Sequence, residues 1–95
     1  MFARVSTYKT GPDSTTTPSD DVVKRVLKVP GCLGIYYLSG KDIDKALSIT
    51  LWDSEESLTA SQETANKIRS ETSTTQKTEI LEVENFEVTT NALKS

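Results

Sequence analysis

Residues 45 to 52 read Lys-Ala-Leu-Ser-Ile-Thr-Leu-Trp, and their alternation constrains the chain more than any other feature. Leu47, Ile49 and Leu51 fall on one face of an extended strand; Ala46, Ser48, Thr50 and Trp52 fall on the other. Three large aliphatic residues in a row on one face cannot be left as a contiguous patch in water. Both faces of any sheet holding this strand therefore need a cover.

The remaining segments supply the other elements. Residues 2 to 9 are rich in β-branched and aromatic side chains and predict a strand. Residues 10 to 17 hold Gly11 and Pro12 and predict a loop. Thr17 and Pro18 predict an N-cap and first helical position, with Asp20 and Asp21 at the positive end of the dipole. Val22, Val23, Val26 and Leu27 form the apolar stripe of that helix, which Pro30-Gly31 ends. Residues 32 to 39 are apolar almost throughout and predict a strand buried on both faces. Asp53 with Glu56 predicts a capping box, opening a helix to about Glu71 whose stripe is Leu58, Ser61, Ala65 and Ile68. A last strand spans roughly 78 to 89, where a parity change between Val83 and Phe86 predicts a bulge near Glu84-Asn85.

This order is strand, helix, strand, strand, helix, strand. It predicts an α+β, ferredoxin-like βαββαβ domain over residues 1–95, with a four-stranded antiparallel sheet and both helices on one face. With only 35% of the chain apolar, the core is thin, and a second copy is the simplest cover for the open face. A net charge of −3 argues against a nucleic-acid partner. No apolar run is long enough to cross a membrane, and the first residues lack a signal peptide's apolar stretch. The single cysteine, Cys32, fits a reducing cytoplasm, and the absence of histidine removes the commonest metal ligand and general base. No cofactor or metal is expected.

Four segments carry a family resemblance: Ala3-Arg4-Val5-Ser6-Thr7-Tyr8, Pro30-Gly31, Lys45 to Glu56, and Val83-Glu84-Asn85-Phe86-Glu87-Val88. Together they resemble the antibiotic biosynthesis monooxygenase-like family, in particular short bacterial members with a similar Ser48-to-Glu56 stretch. The resemblance implies two ferredoxin-like protomers pairing into a dimeric α/β barrel, with a pocket in each between sheet and helices. Some members oxygenate aromatic polyketides with O₂ and neither metal nor flavin, and others degrade haem. The haem-degrading members use an Asn, a Trp and a His; Trp52 matches the Trp, but the first strand has no Asn and the chain no His. Relatives also have a longer first helix than Gly11 to Thr17 permits, which implies a shorter pocket wall. Two functions follow as expectations: a cofactor-independent monooxygenase acting on a small aromatic, or a non-catalytic dimer that binds a small apolar ligand or has an accessory, stress-related role.

The candidate pocket residues are Trp52, Thr50, Ser48, Arg4 and Tyr36. Trp52 is either core packing or a flat wall for an aromatic ring. Arg4, in the middle of an apolar strand, needs a partner. A salt bridge to Glu82 or Glu84 is the expected one; a carboxylate, phenolate or enolate ligand is the alternative. Tyr36 and Tyr37 point to opposite faces, so only one lines the pocket, and Tyr36 counts among the candidates. Cys32 has no activating neighbour and is read as a small buried residue. No catalytic base stands out.

Overall fold

The computed structural model describes residues 1–94. Its elements are β1 (Phe2–Lys9), α1 (Asp20–Leu27), β2 (Cys32–Ser39), β3 (Lys45–Trp52), α2 (Glu55–Ala60), α3 (Gln62–Gln76) and β4 (Glu79–Glu87). All pairings are antiparallel and the strand order is β2-β3-β1-β4, so the chain has the ferredoxin-like α+β architecture its pattern predicts.

The helix starts lie slightly later in the chain than expected. Ser19, not Thr17, caps α1, its hydroxyl accepting from Val22 N at 3.3 Å. Pro18 thus precedes the cap. Ser54, not Asp53, caps α2, accepting from Ser57 N at 3.1 Å. In both cases a serine one or two positions on has the extended backbone that lets its oxygen reach the amide three residues later.

The second helix is two helices. Helix α2 stops at Ala60, Ser61 is the joint, and α3 continues to Gln76, beyond the expected end at Glu71. The Leu58 carbonyl, which would anchor the next helical turn, instead accepts from Arg4 Nη2 at 2.7 Å and from Ser61 Oγ at 2.8 Å. An arginine on β1 and the joint serine thus occupy the carbonyl at the break. Lys77, with φ 57° and ψ 47°, then terminates α3 in a left-handed cap, and Thr78 N donates back to Ser73 O.

The β4 bulge also moves. Thr7 faces Glu82 and Tyr8 faces Ile80, leaving Leu81 as the extra residue, rather than Glu84-Asn85. With that register, Glu84 and Phe86 lie opposite Val5 and Ala3, while Val83 and Asn85 lie opposite Ser6 and Arg4.

Parity places two unlike faces on the sheet. Arg4, Ser6 and Tyr8 of β1 share a face with Ser48, Thr50 and Trp52 of β3 and with Ile35 and Tyr37 of β2, and all of them line the space beneath the helices. The other face carries Val5, Leu47, Ile49, Leu51, Tyr36, Leu38 and Phe86. Strand β2 was expected to be buried on both sides; in the single chain Leu33, Tyr36 and Leu38 are exposed. The covered face is thus the more polar one, an inversion of the usual arrangement of an antiparallel sheet.

Candidate functional site

A cavity of about 60 Å³ lies between this polar face and the helices. Its floor is Arg4, Ser6 and Tyr8 of β1, Ile35 and Tyr37 of β2, and Ser48, Thr50 and Trp52 of β3. Val22 and Val26 of α1 and Ala65, Ile68, Arg69 and Thr72 of α3 close it from above. Four of the five sequence candidates converge here. Tyr36 does not: it registers with Ile49 on the open face and is 49% exposed, and Tyr37 takes its place in the lining. Ser61, on the same predicted stripe as Ala65, does not line the cavity and is engaged with Arg4.

Trp52 is 1% exposed, and its Nε1 donates to Thr50 Oγ1 at 2.9 Å. The Arg4 guanidinium carbon lies 5.3 Å from the indole centroid, within the range of a cation–π contact. The indole is therefore both core and wall, and one of its faces already carries a cation.

Arg4 makes no salt bridge with the last strand. Glu82 and Glu84 stand opposite Thr7 and Val5, on the far side of the sheet. Arg4, 3% exposed, donates from Nη2 to Leu58 O at 2.7 Å and from Nη1 to Ser61 Oγ at 3.3 Å. Burial lowers its pKa from the ordinary guanidinium value, and the nearby Arg69 cation lowers it further.

Arg69 is the residue that sequence reasoning missed. It is 9% exposed, and donates from Nε to Ser6 Oγ at 2.9 Å and from Nη1 to Asn66 Oδ1 at 2.6 Å. Burial lowers its pKa too, with the Tyr8 phenol acting the other way. Its signal was present: Arg69 lies four residues after Ala65 and eight after Ser61, on the stripe assigned to the inward face.

At the other end of the cavity, Tyr8 and Tyr37 stack with centroids 6.0 Å apart and planes 18° apart. Tyr8 Oη shares a 2.9 Å hydrogen bond with Ser48 Oγ, and Tyr37 Oη donates to Gln76 Oε1 at 3.3 Å. The Gln76 amide nitrogen, buried, has no partner. Burial, then the neighbouring Tyr8, push the Tyr37 phenol up to about 12, although the Gln76 contact opposes them. Tyr37 is therefore a poor base near neutral pH.

The lining contains no carboxylate, imidazole or thiol. Cys32 sits apart, its Sγ directed at Gly34 O, and burial raises its pKa. Among the described residues, no group of three or more His, Cys, Asp or Glu side chains is placed to hold a metal ion. Among the described residues, no helix is long and apolar enough to cross a membrane. The fold and the site together define a ferredoxin-like α+β protein with an internal, arginine-bearing pocket. No protein-family model matches the chain, and no curated protein matches it.

Proposed function

We propose that this protein binds a small aromatic molecule in the cavity beneath the helices, and that it does so as a homodimer of the antibiotic biosynthesis monooxygenase-like, dimeric α/β-barrel kind. The observation that carries the binding reading is the convergence of Trp52, Arg4, Arg69, Ser48 and Thr50 on one internal space. A largely apolar cavity with a few converging polar groups is the usual form of a ligand site. The cavity is small, since roughly 150 Å³ is needed to hold a benzene ring. Helix α1 is the wall that gives way: it has eight residues, none of them buried.

The dimer is supported by the open sheet face. Tyr36, Leu38 and Phe86 stand half-exposed beside Leu47, Ile49 and Leu51, and a second copy of the same face is the simplest partner. A cytoplasmic setting keeps the lone Cys32 thiol free.

Cofactor-independent oxygenation of an electron-rich aromatic is the second reading. The two guanidiniums favour it, because they can stabilise an enolate or phenolate. The lining offers no group to take the substrate's proton, so this reading is confined to substrates that are already ionised.

Titration of the full chain with benzyl alcohol and benzoate, followed by amide chemical shifts, tests the binding reading. Shifts at Trp52, Ala65 and Ile68 with at least one probe are expected. Shifts scattered over the surface, or none with either, contradict it. Oxygen uptake with phenolate substrates tests the second reading.

A further inference from the structure

We infer that the pocket is a site for a small organic carboxylate, with Arg4 and Arg69 as its counter-charges. This deepens the binding reading above and rests on it. Both arginines line the same cavity, and each is more than nine-tenths buried. Their closest hydrogen-bond acceptors are neutral: the Leu58 carbonyl and Ser61 hydroxyl for Arg4, the Ser6 hydroxyl and Asn66 amide oxygen for Arg69, with the Tyr8 phenol also beside Arg69. Each has five N–H groups and spends two of them on these partners. The one ion pair among the described residues joins Arg25 to Glu71, and neither lines the cavity.

Two like charges buried side by side without a carboxylate oppose folding twice, through lost hydration and through mutual repulsion. A core built for stability alone places apolar side chains of similar volume at such positions. An anion between the two guanidiniums offsets both costs at once, and a planar carboxylate matches the forked donors of arginine. Trp52, Ile35 and Val26 in the same lining suit an apolar body attached to that carboxylate. Because the whole chain is net negative, its surface does not gather small anions non-specifically.

The test compares benzoate, benzyl alcohol and inorganic phosphate on the full chain and on Arg69→Gln and Arg69→Lys, by amide chemical-shift titration. Arg69 is chosen because Arg4 also shapes the α2–α3 joint. Benzoate is expected to bind about tenfold or more tightly than benzyl alcohol. Arg69→Gln should weaken benzoate by about tenfold and leave benzyl alcohol within about twofold, with Arg69→Lys intermediate. Equal affinity for benzoate and benzyl alcohol, or benzoate binding unchanged in Arg69→Gln, overturns the carboxylate assignment and leaves the pocket reading standing. Phosphate binding as tightly as benzoate overturns it as well. Failure of both aromatic probes removes the pocket reading, and this inference with it.

Discussion

Trp52 holds the site together at the residue scale. Its indole fills the junction of β3 with the helices, satisfies its own N–H through Thr50, and lies under Arg4. Trp52→Ala should cost about 3 to 5 kcal/mol, as for other large buried aromatics. Trp52→Phe keeps most of the volume but leaves Thr50 without its donor and weakens the cation–π contact. It should cost about 1 to 2 kcal/mol, measured by urea unfolding. The Tyr37 phenol gives a pH prediction. Its pKa rises from about 10 in the unfolded chain to about 12 in the fold. The unfolded state then loses this proton first, so the contribution of Tyr37 to stability is intact below pH 10 and is lost as pH rises towards 12. Tyr37 should titrate late by ultraviolet absorbance, and Tyr37→Phe should remove that late phase. Parity made Trp52, Thr50 and Ser48 legible as one face, and Arg4 stood out as a charge in an apolar strand. The partners of Arg4 were not legible, because they lie at the end of α2 and at its joint with α3, more than fifty residues away in sequence.

The element scale shows what local pattern fixes and what it leaves open. Alternation located β3, β-branched and aromatic composition located β1, and a continuous apolar run located β2, although Leu33, Tyr36 and Leu38 of that run are exposed in the single chain. The break between α2 and α3 was hidden, since Ser61 lies in an uninterrupted helical pattern and the Leu58 carbonyl is taken by Arg4 from β1 together with the Ser61 hydroxyl. The bulge of β4 was misplaced, because Val83 and Phe86 sit on opposite faces of a regularly paired stretch and the extra residue is Leu81, which only the pairing with β1 reveals. The Pro30-Gly31 turn, by contrast, was legible and its glycine is required. Gly31 has φ 86°, and a Cβ there would overlap the Ser57 side chain, against which the turn packs while its carbonyl accepts from Asp53 N. Gly31→Ala should therefore cost about 2 kcal/mol or more, read from the urea midpoint at unchanged slope.

Across the whole molecule, the polar face is covered by the chain's own helices and the apolar face is left open. Association is the expected resolution. Sedimentation at micromolar concentration should give about 21 kDa, twice the 10.5 kDa chain. Ile49→Asp should shift the mass towards one chain, because pairing the faces would bury an uncompensated carboxylate. A wild-type mass of about 10.5 kDa would contradict the dimer.

On the proposed reading, the two buried arginines are kept for a bound anion rather than for the stability of the fold. Unfolding free energies of wild type and Arg69→Met, each with and without saturating benzoate, test it most directly. The account predicts that ligand-free Arg69→Met is at least as stable as wild type, because a buried, uncompensated charge has been replaced by an apolar side chain of similar length. It also predicts that benzoate stabilises wild type by about 2 kcal/mol or more near a hundred times its dissociation constant, and the variant far less. An Arg69→Met protein several kcal/mol weaker than wild type, together with a wild type indifferent to benzoate, would contradict the claim.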